Sequence, residues 1–152
     1  MPTTKIVFCD NDALSRETIK ILLKKSLSVE IVGEFDNKVD LMNQLDEISP
    51  DIVIYDLHTN QREDILAIRE ILLINPALKV IVTSTFEDFK TISLAFTMGA
   101  IAILTKRSLT IRELTNAISS SHHNTHYLSR GSEFKLENIS KMIQLNYLHP
   151  SI

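Results

Sequence analysis

The chain has 152 residues, 44% of them hydrophobic and 23% charged, enough for one domain with a real core. A net charge of −3 offers no basic surface for direct nucleic-acid binding, and no apolar run reaches membrane-spanning length. The N-terminus lacks a signal pattern, and the single cysteine, Cys9, excludes an intramolecular disulfide, so a cytoplasmic location is expected.

Lys5 to Cys9 is an apolar run closing on Asp10-Asn11-Asp12, and it predicts a first strand. From Asp12 or Ala13 the period turns helical, with Leu14, Ile19, Ile21, Leu22 and Leu23 on the apolar side and Lys24 and Lys25 in the last turn. Val29 to Phe35 alternates and predicts a second strand. Asn37 is placed to cap a helix carrying Val39, Leu41, Met42, Leu45 and Ile48, which stops at Ser49-Pro50. The stretch Asp51-Ile52-Val53-Ile54-Tyr55-Asp56 reads as a strand buried on both faces, as in a parallel sheet covered by helices. Its closing carboxylate falls at the edge where open α/β sheets place their ligand sites.

A polar loop, His58 to Glu63, leads to a helix with Ile65, Leu66, Ile68, Ile71, Leu72 and Leu73, ended by Asn75-Pro76. Leu78 to Val82 predicts a fourth strand closing on Thr83-Ser84-Thr85. Glu87 to Met98 predicts a helix stopped by Gly99. Ile101 to Thr105 predicts a fifth strand ending at Lys106, with a fifth helix from Ser108 or Thr110 through Ser119. Five strand-then-helix units imply a doubly wound α/β domain over residues 1–121, its parallel sheet covered on both faces. Residues 122–152 read as a linker and an amphipathic tail helix. Phe134, Leu136, Ile139, Met142, Ile143 and Leu145 give that helix an apolar face, which must pack on this domain or on a second copy.

Four predicted strands end on Asp10, Asp56, Ser84 and Lys106, all at one edge of the sheet. Two acids, a hydroxyl and an ammonium gathered there suit cation-assisted phosphoryl chemistry. Carboxylates bind Mg²⁺ through hard oxygens, one of them can act as a nucleophile, and the hydroxyl and ammonium can meet phosphoryl oxygens. His122, His123 and His126 are read as solvated linker residues, and Cys9 as a buried small hydrophobe.

Asp10-Asn11-Asp12, the Asp56-Leu57 pair, Ser84, Gly99-Ala100 and Leu104-Thr105-Lys106 together resemble the receiver domains of two-component response regulators. The likeness is to the NarL/FixJ type, over about residues 5–121, without the helix-turn-helix domain that follows in that type. It implies a flavodoxin-like five-stranded sheet of order 2-1-3-4-5 and a phosphorelay module. Asp56 would accept phosphate from a histidine kinase, with Ser84 and Lys106 gripping the phosphoryl group. Mg²⁺ would sit weakly on Asp10, Asn11, Asp56 and the His58 backbone carbonyl, with Asp12 a further candidate ligand. The event would switch a protein interface, and a homodimer could form through the tail helix or the face of the fourth helix, fifth strand and fifth helix.

The sequence departs from the family pattern at two telling places. Asn11 stands where a second acid is usual, and Ile103 occupies the aromatic switch position of the fifth strand. These favour, as the alternative, a pseudo-receiver that binds partners without phosphorylation. A third reading starts from Asp10-Asn11-Asp12, which resembles the Asp-x-Asp motif of haloacid-dehalogenase-type phosphatases. That family needs a later acidic pair, and beyond Lys106 only the isolated Glu113, Glu133 and Glu137 remain, so no enzyme activity is expected.

Overall fold

Alternation along the apolar runs divides the core in two, one cluster on each side of a parallel sheet. The computed structural model describes residues 3–25, 28–129 and 136–141. Its elements are β1 (Thr4–Cys9), α1 (Ala13–Lys24), β2 (Val29–Phe35), α2 (Lys38–Ile48), β3 (Ile52–Leu57) and α3 (Arg62–Ile74). They continue with β4 (Lys79–Ser84), α4 (Phe89–Thr97), β5 (Ala102–Thr105), α5 (Ile111–His122) and β6 (Tyr127–Leu128). A 3-10 turn at Lys106–Ser108 joins β5 to α5, and residues 136–141 are helical.

The strands lie in the order β2-β1-β3-β4-β5-β6, every neighbouring pair parallel. This is the expected flavodoxin-like order with a sixth strand at the β5 edge. Val7, Val53, Tyr55, Val80 and Val82 face the layer of α2, α3 and α4. Ile6, Phe8, Ile52, Ile54, Ile81 and Leu104 face α1 and α5. All six residues of β3 are buried, as its apolar run Ile52–Tyr55 requires of a strand covered on both faces, and Asp56 is buried with them.

The helix ends follow their local chemistry. Asp12 caps α1 by accepting from Leu14 N and Ser15 N, Asn37 caps α2 through Asp40 N, and Thr110 caps α5 through Glu113 N. At the close of α4, Gly99 holds φ +116°, and a Cβ there would meet Leu72 Cδ1 at 2.4 Å. The chain can therefore turn from α4 into β5 only with glycine at that point.

Several expectations need correcting. Among the described residues the sheet has six strands, because Tyr127–Leu128 pairs in parallel with Ala102–Ile103. The fifth helix, expected to end at Ser119, continues through His122, and Ser121 is buried with its hydroxyl donating to the Ile118 carbonyl. The polar residues simply lie where the last turn packs down. α3 starts at Arg62, inside the predicted loop, and Gln61 makes no side-chain cap that could have marked the start. Asp56 is the penultimate residue of β3. Leu14, Ile21, Val39 and Leu73, assigned above to apolar helix faces, are exposed.

In the tail, Ile139 is fully buried and joins the cluster on the α2–α3–α4 side, with Leu136 packed against it. That face therefore packs on this domain. The expected contributions of Phe134, Met142, Ile143 and Leu145 lie outside the described residues.

Candidate functional site

β1 and β3 lie side by side in the centre of the sheet, so the residues that leave their carboxyl ends emerge together. Asp10 and Asp56 are each only 3% exposed. Lys106, at the first position after β5, reaches back between them. Its Nζ lies 2.8 Å from Asp56 Oδ1 and 3.4 Å from Asp10 Oδ2. Burial by itself would pull this ammonium's pKa down, but the hydrogen bond and charge of Asp56, with Asp10 adding to them, hold it above the ordinary lysine value. Lys106 is thus a fixed cation shared by two carboxylates.

The Asp10 backbone N–H donates to the Phe35 carbonyl at 2.9 Å, and its Oδ1 accepts from Asp12 N at 2.8 Å. Arg16 donates to the Asp10 carbonyl and reaches Asp36 Oδ1 at 3.0 Å, which locks the end of β1 to the end of β2. Past β3, Thr59 donates to Asp64 Oδ2, Gln61 N donates to Thr59 Oγ1 at 3.2 Å, and Tyr55 Oη donates to the Asp64 carbonyl at 2.9 Å. These bonds set the course of the loop that carries His58. The His58 ring Nδ1 lies 3.4 Å from Asp56 Oδ2, at the outer limit of a hydrogen bond.

The remaining predicted residues fall into three groups. Asn11 is exposed at the mouth of the site. Asp12 caps α1, its Oδ1 accepting from Leu14 N at 3.0 Å and from Ser15 N at 3.4 Å. Ser84 is buried at the end of β4, where its hydroxyl accepts from Phe86 N at 2.9 Å. It pairs with Leu57 rather than with Asp56, one step further along the strand. Directly beside Asp56 is Thr83, whose hydroxyl donates to Asp56 Oδ1 at 3.0 Å. Strand alternation could have identified it, since cross-strand partners in a parallel pair share a face.

The oxygen-rich donor set fits a weakly held hard cation. Asp10 and Asp56 are buried carboxylates at this edge, Asn11 would add a neutral amide oxygen, and Asp12 caps α1 through Oδ1. Among the described residues no three His, Cys, Asp or Glu side chains gather as a metal cluster. The three expected linker histidines point to separate partners: His122 to Thr4 Oγ1, His123 to the Ser119 carbonyl and His126 to the Phe96 ring. Cys9 is buried inside β1, and burial followed by the neighbouring Asp10 charge pushes its thiol up to about 12. At the family's switch position, Ile103 is 1% exposed, packed in the core.

The family model for the response regulator receiver domain matches residues 6–119. The chemotaxis protein CheY of Thermotoga maritima is 30% identical over 96 residues, which cover 63% of this chain and 79% of that protein. The response regulator protein VraR of Staphylococcus epidermidis is 26% identical over 102 residues, 67% of this chain and 49% of VraR. A protein-glutamate methylesterase/protein-glutamine glutaminase of Geobacter sulfurreducens matches over 32% of its length, so the chain spans only part of several relatives. In fold, the isolated REC domain of RcsB from Salmonella enterica serovar Typhimurium, solved with phosphomimetic BeF₃⁻, superposes with a TM-score of 0.76 at 20% identity. That superposition covers 85% of this chain and 95% of the RcsB domain. Among the described residues, no helix is long and apolar enough to cross a membrane.

Proposed function

We propose that this chain, which belongs to the response regulator receiver domain family, accepts a phosphoryl group on Asp56 from a histidine kinase and uses that event to switch a protein interface. One observation carries the reading. Asp56 is a buried carboxylate at the carboxyl edge of the central strand, with an ammonium 2.8 Å from one oxygen and a second buried carboxylate sharing that ammonium.

The arrangement supports transfer mainly by position and charge. An Asp56 oxygen attacks phosphorus as the P–N bond of a phosphohistidine breaks, and the bonding electron pair leaves with the imidazole nitrogen. In this reading Lys106 swings its ammonium from the carboxylate to a phosphoryl oxygen, and the Ser84 hydroxyl at the end of β4 joins it there. A bound Mg²⁺ would offset negative charge on the phosphoryl oxygens. Asp10, Asp56, Asn11 and the His58 carbonyl are the groups that would hold it. Asp12, whose Oδ1 caps α1 by accepting from Leu14 N and Ser15 N, keeps its second oxygen for the same role.

The NarL/FixJ type remains the preferred subfamily, supported by the resemblance of Tyr127-Leu128-Ser129 and the amphipathic segment after it to that type's linker. In this reading the output runs through the tail side of the sheet. Ser129 Oγ accepts from Thr105 N at 2.8 Å, one residue before Lys106, so the end of β5 is tied to the segment that follows β6. The pseudo-receiver reading is favoured by Asn11 in place of an acid and by Ile103 packed where no ring can swing.

Incubation with acetyl phosphate and Mg²⁺, followed by intact-mass measurement and Phos-tag electrophoresis, separates the two. The expected result is one added phosphoryl group on the parent and none on Asp56→Asn. A parent that stays unmodified, under conditions that label a standard receiver, would support the pseudo-receiver.

A further inference from the structure

The two oxygens of Asp56 are not equivalent. Oδ1 accepts from the Thr83 hydroxyl at 3.0 Å and lies 2.8 Å from Lys106 Nζ, whereas among the described residues Oδ2 has only the His58 ring at 3.4 Å. Thr83 is fully buried and sits opposite Asp56 in the β3–β4 ladder, so its hydroxyl has no water to turn to. We infer that Thr83 is a positioning residue that reserves Oδ2 for the phosphorus and shortens the life of the resulting acyl phosphate. The inference rests on the reading of Asp56 as the acceptor.

When Oδ2 bonds phosphorus, Oδ1 becomes the carbonyl oxygen of a neutral acyl group, and Lys106 is drawn away to the phosphoryl oxygens. Thr83 is then the donor that stays on Oδ1. In hydrolysis a water oxygen bonds phosphorus as the P–Oδ2 bond breaks, and the water's protons are left with phosphate and solvent. The electron pair returns to Asp56 and spreads onto Oδ1. A hydrogen bond to a carboxylate oxygen is about twice as strong as one to a neutral carbonyl. The Thr83 hydroxyl therefore stabilises the departing carboxylate, and the path to it, more than it stabilises the phosphorylated form.

Thr83→Val keeps the shape and removes the donor, while Thr83→Ser keeps the donor. The parent, both variants, Thr83→Ala and Asp56→Asn are labelled with acetyl phosphate in Mg²⁺ buffer and desalted. Decay of the phosphorylated species is then followed by mass spectrometry over a pH series, with folding checked by circular dichroism. The expected result is a phosphorylated lifetime lengthened roughly three- to tenfold in Thr83→Val and Thr83→Ala, with Thr83→Ser close to the parent. A packing role alone would make serine and alanine behave alike, and would not follow the hydroxyl. Equal or shorter lifetimes in both donor-less variants, or a folded Thr83→Val that takes no label while Asp56→Asn is also unlabelled, would overturn the role of Thr83 and leave the acceptor standing. Should Thr83→Val fail to fold, Thr83→Ala against Thr83→Ser decides the same question. Full labelling of Asp56→Asn would overturn the acceptor reading, and the inference with it.

Discussion

Replacing Lys106 with methionine should destabilise the fold at neutral pH and restore most of that loss on acidification. The ammonium lies 2.8 Å from Asp56 Oδ1 and 3.4 Å from Asp10 Oδ2. At an effective dielectric near 20 these contacts are worth roughly 6 and 5 kcal/mol of gross attraction. Desolvation of three charged groups and the repulsion between the two acids offset most of that, so a net loss of about 2–3 kcal/mol is expected at pH 7. Without the cation, two carboxylates that are 3% exposed share a site with no compensating charge, a repulsion that protonation in acid removes. The deficit is therefore full at pH 7 and shrinks as pH falls toward the ordinary carboxyl range near 4. Urea unfolding of parent and variant at pH 7 and at about 4.5, compared at equal m, measures both ends. Coincident midpoints at pH 7, or a gap of the same size at both pH values, would refute the picture of a shared cation.

Asn11→Asp should tighten Mg²⁺ binding by on the order of 1–3 kcal/mol, roughly ten- to a hundredfold, by calorimetric titration. Asp12→Ala should lower stability to urea by about 1 kcal/mol, because its carboxylate caps α1. Ile139→Ala should cost about 2–4 kcal/mol in chemical unfolding, since the side chain is fully buried in the cluster beside α4. A cost near zero would mean that the tail does not dock in solution. Cys9, with its thiol pushed up to about 12, should resist a disulfide reagent at pH 8 in the folded protein and react once urea unfolds it.

Much of this arrangement can be read in the letters, and the gaps have physical causes. β3 is legible because a strand covered on both faces must be apolar at every position, and its length then fixes where Asp56 falls. Asn37 and Thr110 are legible as caps because a short polar side chain before an apolar-periodic run has a specific orphan N–H to satisfy. Asp12 shows the reverse case. A carboxylate near a sheet edge suits a cation or a helix start equally well, and only its bonds to Leu14 N and Ser15 N reveal the helix start. Thr83 is less legible than Ser84, because the last hydroxyl marks a strand's end in the sequence while the face shared with Asp56 depends on the β3–β4 register. β6 leaves almost no periodic signal in two residues. It is held instead by long-range bonds, Tyr127 N to the Ile101 carbonyl, Ser129 N to the Ile103 carbonyl and the Tyr127 hydroxyl to Glu113, which no local pattern reports. Arg16, which ties the Asp10 carbonyl to Asp36, looks in the sequence like any charged residue on a helix face.

The central claim is that Asp56, and neither Asp10 nor Asp12, carries the phosphoryl group. Reduction of the acetyl-phosphate-treated protein with borohydride converts an aspartyl phosphate to homoserine, and peptide sequencing by mass spectrometry then locates it. The account predicts homoserine at position 56 alone, at a yield that tracks the fraction phosphorylated. Homoserine at position 10 or 12, or a phosphorylated protein with no reduced residue at 56, would contradict it.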